Sequence, residues 1–308
     1  MRWLSKVLGV SLVGWLVWRL FGPDVAPDYR GVQERPMRIP GRTVFIGRKE
    51  LFVREAGPES APVIVLVHGW GFDGEMTYFR LMPLLARRFR VVAPDLRSHG
   101  KSDNIRGRFE IDDLADELAG VLDAVGVTEP IALFGYSMGG LVAQAFTRRY
   151  PGRVRSLVLG ATAAYPIARK RYAVRTLFWF ARAVARVSKK ESARFSYRFL
   201  LKRRIIDPQH GRWIWEALLN RDPTLYYESG NAVWRFDSRA WVGRLGVPTL
   251  VIIPTDDTVM PITAQEELAV LLDDAEVCRL EGSGHEAVLS RADDFAVAIE
   301  QFIEALVT

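Results

Sequence analysis

Cysteine is nearly missing from this 308-residue chain, with Cys278 the only one. A single thiol allows no intramolecular disulfide, and no zinc site can rest on thiolates. Cys278 reads as a small apolar filler in a strand. Histidine is scarce too: His68, His99, His210 and His285 are all there are. Internal repeats and low-complexity segments are absent, which excludes repeat arrays and compositionally biased tracts. No RNA- or DNA-binding motif accompanies the positive charge, so nucleic acid is not expected as a partner.

Hydrophobic residues at 49% and charged residues at 25% describe a globular chain, long enough for one large core plus an inserted subdomain, or for two small domains. The net charge of +6 is unevenly placed: between Arg169 and Arg204 Glu191 is the only acid, against about a dozen Arg and Lys. The remainder is therefore net acidic. Such a basic block suits an anionic membrane surface or acidic substrates.

At the N-terminus Arg2 and Lys6 precede an apolar run at 7–18, closed by Arg19. About 12 residues is short for a transmembrane helix and suits a signal-peptide core. Snorkelling by Lys6 and Arg19 lengthens the apolar stretch, and Trp3, Trp15 and Trp18 lie towards its ends. No small-x-small cleavage site follows. Residues 1–22 are thus expected to be a membrane anchor, with a cleaved signal and secretion as the alternative. Arg19, Arg30, Arg35 and Arg38 outnumber Arg2 and Lys6, which favours a cytoplasmic catalytic domain. Residues 23–42, rich in proline and charge, read as a linker.

From residue 43 the pattern is regular. Segments 43–46 and 51–54 predict a hairpin around Gly47, and 63–67 a central parallel strand with no polar face. Strands follow at 91–93, 131–134 and 154–159, separated by amphipathic helices at 76–87, 111–125 and 141–149. This alternation implies a parallel sheet covered on both faces. It breaks over 162–241, where the sequence is helical, aromatic and basic. It resumes with strands at 250–253 and 276–280 and helices at 264–272 and 292–306. A core of 43–161 and 242–308, with an inserted helical cap at 162–241, is the expected organisation.

Gly135-Tyr136-Ser137-Met138-Gly139 has G-x-S-x-G spacing. A serine at a tight strand-to-helix turn adopts a strained backbone, and glycines two residues either side let the turn close. Here a buried strand precedes it and an amphipathic helix follows. A serine needs a base, and the base needs an orienting group. His285 lies in Gly282-Ser283-Gly284-His285-Glu286, just after the last predicted strand, where catalytic groups gather in parallel sheets. His68 and His99 read as turn-stabilising residues and His210 as a surface residue. The orienting acid is expected after the preceding strand, where Asp256 and Asp257 stand side by side. At most one of them points at the histidine.

The order Ser, Asp, His, together with His68-Gly69-Trp70-Gly71 and Pro94-Asp95-Leu96-Arg97-Ser98-His99-Gly100-Lys101-Ser102, resembles the α/β-hydrolase fold family. The resemblance covers nearly the whole chain from Thr43. Ser98 replaces a glycine usual in the second motif, and Pro254 a glycine often found before the acid. The family's acid commonly stands four residues before a proline, which selects Asp257 ahead of Pro261. The resemblance implies an oxyanion hole from the backbone N–H groups of Trp70 and Met138. It also implies Ser137 as nucleophile, unlike the epoxide hydrolases and haloalkane dehalogenases of this fold, which use aspartate there. Acyl transfer to water through Ser137 needs no metal or organic cofactor.

The expected activity is hydrolysis of carboxylic esters, with aromatic segments such as 177–180, 195–200 and 213–215 shaping an apolar acyl pocket. The same aromatics are equally those that pack a cap onto its core. Thioester, amide or carbon–carbon hydrolysis uses the same triad, and a non-catalytic binding or scaffold role is the alternative from another class. The expected partners are a small-molecule acyl ester and a membrane surface.

Overall fold

The computed structural model describes residues 34, 36, 38–166, 176, 179, 181–183 and 185–306. Strands β1 (Gly41–Ile46), β2 (Lys49–Ala56), β3 (Val63–Val67), β4 (Arg90–Pro94), β5 (Ile131–Tyr136), β6 (Val154–Gly160), β7 (Thr249–Pro254) and β8 (Glu276–Leu280) share one sheet. Their spatial order is β1-β2-β4-β3-β5-β6-β7-β8. β1 pairs antiparallel with β2, and β2 with β4. All later pairings are parallel. The β1–β2 hairpin turns at Gly47, whose φ of 61° lies where only glycine is unstrained.

The apolar runs predicted as strands divide their side chains between two cores, as the period of two requires. Val65, Val67, Leu133, Val251 and Ile253 face α3 (Ile111–Ala124) and α4 (Met138–Arg149), meeting Leu114, Leu118, Leu141 and Phe146. Ile64, Leu66, Phe134 and Ile252 face the other way, onto α2 (Leu81–Leu85) and α10 (Ala292–Ala305), meeting Leu85, Phe295 and Ile299. Both faces are covered, so the strands carry no polar face.

The helix expected over 76–87 is two short helices, α1 (Gly74–Tyr78) and α2, with a break at Phe79-Arg80. Pro83 explains the break: it has no N–H for the Phe79 carbonyl, and its ring crowds that carbonyl. Between β6 and β7 the described regular elements are all helical. They include α5 (Lys189–Lys202), α6 (Gly211–Asn220) and α7 (Pro223–Arg235). Ala193, Tyr197, Ile206, Ile214, Trp215 and Leu218 form a separate apolar cluster of this insertion, closed by Met76 from α1. The remaining helices are α8 (Ile262–Leu271) and α9 (Ala287–Ser290).

His210, expected at the surface, is buried. Its Nδ1 lies 2.9 Å from the Glu34 carbonyl, and its ring meets Phe79 and Trp213 edge-on. An imidazole satisfied this way packs as readily as a small aromatic. Among the described residues no helix is long and apolar enough to cross a membrane. The expected anchor, residues 1–22, lies outside the described residues, as do most of 23–42 and the basic stretch 167–175.

Candidate active site

Three loops at the carboxyl ends of parallel strands converge on one point. The first is the turn between β5 and α4. Ser137 sits there at φ 54°, ψ −116°, a conformation that costs a non-glycine residue on the order of 1–3 kcal/mol. Surrounding contacts hold it. Ser137 N–H donates to the Gly160 carbonyl at 2.9 Å, and Thr162 Oγ1–H donates to the Ser137 carbonyl at 2.8 Å. The two flanking glycines are needed for space: a Cβ on Gly139 would stand 1.9 Å from the Val67 carbonyl oxygen, and one on Gly135 2.3 Å from that of Gly139. G-x-S-x-G spacing is therefore a steric requirement of this turn.

The second loop follows β8 and carries His285, whose Nε2 accepts from Ser137 Oγ at 3.0 Å. Its Nδ1–H donates to Asp257 Oδ2 at 2.7 Å. The Asp257 carboxylate, on the loop after β7, is fully buried. Its Oδ1 accepts from the N–H groups of Val259 and Met260 at 2.7 and 2.8 Å. Asp256 is exposed, and its N–H is taken by the Ser283 carbonyl at 2.9 Å, tying the acid loop to the histidine loop. Of the adjacent pair, Asp257 alone meets the histidine. Pro254 closes β7 opposite Leu280, and the turn still delivers the acid.

The structure brings Ser137, His285 and Asp257 together and leaves the other histidines out. His68 Nδ1–H donates to the Gly69 carbonyl at 2.8 Å, and its Nε2 accepts from Leu96 N–H at 2.9 Å. Burial pushes His68 down to about 4 and His99 down to about 3, so both are neutral struts. His68 links the turns after β3 and β4. The buried Arg54 guanidinium does the same, pairing with Asp95, which also accepts from Gly74 N–H at 2.9 Å and Lys101 N–H at 3.0 Å. Desolvation, then repulsion from Asp95, pushes the nearby Asp73 carboxyl up to about 6. Ser98, standing for the family glycine, sits at φ 62°, the left-handed region glycine enters freely.

These ties hold the turn of the HG motif against the serine. A Cβ on Gly69 would lie 3.4 Å from Ser137 Cβ and 3.9 Å from its Oγ. Trp70 follows directly, its indole stacked on Tyr226 at 4.3 Å and donating to the Tyr226 carbonyl at 2.9 Å. Met138 opens α4, where N–H groups have no acceptor within the helix and the dipole is positive. Two supporting residues escaped the sequence reading. Tyr136 O–H donates to the His285 carbonyl at 2.7 Å, and Gln265 Nε2–H reaches Asp257 Oδ2 at 3.4 Å while donating to the Met260 carbonyl at 2.8 Å. Tyr136 occupies a variable position inside the motif, and Gln265 lies on a helix, so neither carried a signal.

Above Ser137 and His285 opens a cavity of about 350 Å³, lined chiefly by Trp70, Met138, Phe199, Leu200, Tyr226, Val233, Trp234 and Met260. The insertion supplies much of this apolar wall. A hydroxyl that can pass its proton to an imidazole, itself held by a buried carboxylate, under an apolar roof, is equipped for acyl transfer.

A family model for the alpha/beta hydrolase family matches residues 64–298, and the chain belongs to that family. A pimeloyl-(acyl-carrier protein) methyl ester esterase of Neisseria meningitidis serogroup B is 31% identical over 255 residues, covering 82% of this chain and 96% of its own. Among solved structures, an enol-lactonase from Burkholderia xenovorans LB400 superposes with a TM-score of 0.74 at 27% identity, covering 86% of this chain and 100% of that one. A thermophilic esterase from Thermogutta terrifontis gives 0.75 at 26% identity, covering 87% and 100%.

Proposed function

We propose that the protein is a serine ester hydrolase that cleaves apolar or lipid-like carboxylic esters through an acyl-enzyme on Ser137. The observation that carries this reading is the Ser137–His285–Asp257 relay, at 3.0 and 2.7 Å, on the floor of an apolar cavity. In this reading Ser137 Oγ adds to the carbonyl carbon as His285 Nε2 takes its proton. The carbonyl electrons move onto oxygen, where the N–H groups of Trp70 and Met138 meet the charge. When the tetrahedral adduct collapses, the alkoxide leaves with the proton from His285. The same imidazole then takes a proton from a water that attacks the acyl-enzyme, and returns it to Ser137 Oγ as the second tetrahedral adduct collapses and the acid leaves. Asp257 keeps the Nδ1–H in place through both halves. The methyl ester and lactone named for the relatives are both carboxylic esters, which supports that bond class. An alkyl fluorophosphonate should label the protein covalently at Ser137, located by peptide mass mapping, and p-nitrophenyl esters and monoacylglycerols should be turned over. A native preparation that neither labels nor hydrolyses any of them would end this reading.

We also propose that residues 1–22 stay attached and hold the enzyme at a bilayer with its catalytic domain cytoplasmic. Trp179, Phe195 and Phe199 are exposed by 72%, 50% and 39%, and the last two also line the cavity. Arg198 and Lys202 are exposed on the same helix α5. Aromatics with basic neighbours favour an anionic interface. The native protein should retain Met1 or Arg2 by mass spectrometry and stay in the pellet after carbonate extraction. A soluble product beginning near Asp24 would refute the anchor.

A further inference from the structure

A second cavity, of about 400 Å³, adjoins the one above Ser137. The two share Phe72, Met76, Ile205, Glu286 and Leu289 as a common wall. Phe72 and Met76 come from the same turn and helix that follow Trp70, and Glu286 and Leu289 from the loop and short helix that follow His285. The wall is therefore fixed relative to the reacting serine by the very segments that build the site. Its one acid, Glu286, accepts from Gly284 N–H at 3.1 Å, so the carboxylate is engaged with its own loop.

Beyond the wall the apolar part of the chamber is formed by Phe79, Leu201, Ile206, Trp213 and Ile214. Its lining also carries Arg80, Arg204, Asp207, His210 and Ser290, and three of these groups are engaged with their own neighbours. His210 meets the Glu34 carbonyl, Asp207 accepts from Gln209 N–H at 3.0 Å, and Arg80 donates to the Leu289 carbonyl at 3.3 Å. The apolar part of this lining offers an aliphatic chain a wall that asks for no directional contacts. Each cavity alone is at the small end of ligand sites, at roughly 300–1,000 Å³, and together they reach the middle of that range.

We infer that the second chamber receives the distal part of a long aliphatic chain of the ester, and that the shared wall sets the chain length at which it is reached. This rests on the serine-esterase reading above. Side chains of the wall, a methionine, a leucine and an isoleucine among them, can change rotamer to let methylenes pass. Each methylene that leaves water for the chamber raises kcat/KM by about fourfold, until the chain outruns the apolar wall. The chain can belong to the acyl or to the alcohol part, since both are aliphatic to this surface.

The test compares p-nitrophenyl butyrate with dodecanoate, for the acyl side, and butyl acetate with dodecyl acetate, for the alcohol side. Wild-type enzyme should prefer the dodecyl member of at least one pair, and that pair identifies the side. Leu201→Trp narrows the chamber and should lower that long-to-short ratio of kcat/KM by about fifteenfold, the loss expected when roughly two methylenes are excluded. Trp213→Ala enlarges it and should move the optimum to a longer chain, which keeps the test decisive if Leu201→Trp fails to fold. Ratios and optima unchanged in folded variants, with turnover intact, would overturn the chamber and leave the serine reading standing. A wild type that hydrolyses none of the esters would strike the serine reading, and the chamber with it.

Discussion

Ser137→Ala should abolish covalent labelling by a fluorophosphonate and lower kcat by about 10⁶-fold, the scale seen when a serine nucleophile is removed from such a relay. The fold should survive. Alanine keeps the Cβ, so the strained backbone at φ 54° is neither relieved nor worsened. The ties that hold it, Ser137 N–H to Gly160 and Thr162 Oγ1–H to the Ser137 carbonyl, use main-chain atoms and remain. What is lost is one hydroxyl bonded to His285 at 3.0 Å, a net stabilisation of about 1 kcal/mol. Thermal unfolding of the variant should therefore stay close to wild type while turnover disappears. Turnover retained in a clean preparation would remove Ser137 from the chemistry and, with it, the acyl-enzyme.

The variant also separates two uses of the same turn. Gly135 and Gly139 are there because main-chain oxygens stand within 2.3 Å of where their Cβ atoms would be, whereas Ser137 is there for its hydroxyl. That difference shows why the site was legible. Its parts stand at strand ends: a serine with glycines at fixed offsets, a histidine preceded by glycines, and a pair of adjacent acids, of which the resemblance to the α/β-hydrolase fold family selected Asp257. Strand periodicity placed each beside the others without any knowledge of long-range contacts, because parallel strands bring their carboxyl ends to one edge. The alternating apolar runs gave the sheet in the same way, since a run such as Val63–Val67 leaves no polar face for solvent.

Other features depend on partners far away in the chain and left no local mark. Arg54 closes the predicted strand at 51–54 after three apolar residues, and nothing local marks a partner, yet it is fully buried against Asp95, 41 residues on. His210 sits among polar neighbours and is buried by a carbonyl 176 residues away. Gln265 touches the acid only because α8 folds back over the loop that precedes it. In the insertion the aromatics divide between both readings: Tyr197 and Trp215 pack the cap's own cluster, while Phe199 and Tyr226 face the cavity. Composition gives the density of such groups but not their direction. The break at Phe79-Arg80 is of a different kind, because Pro83 announced it in the sequence and the amphipathic pattern across it masked the signal.

Asp257→Asn should cost on the order of 10⁴ in kcat, the loss seen when a triad aspartate is replaced by its amide. The hydrogen bonds around the carboxylate dictate why. Oδ1 accepts from two backbone N–H groups, those of Val259 and Met260. An asparagine must keep its carbonyl oxygen there, because an NH₂ would face two donors. Its amide nitrogen is then left at the Oδ2 position, 2.7 Å from His285 Nδ1. Facing a donor, the imidazole takes the other tautomer, with Nδ1 accepting and the proton on Nε2. Nε2 can then no longer accept from Ser137 Oγ, so the serine keeps its proton while the geometry is preserved. Asp256→Asn changes an exposed side chain whose backbone N–H alone ties the loop, so it should cost no more than about threefold, within the usual small effect of surface substitutions. Steady-state kinetics of the two amides on one ester decides the assignment, with circular dichroism to confirm folding. A larger loss at Asp256 than at Asp257 would show that the neighbour, not Asp257, orients the histidine during turnover.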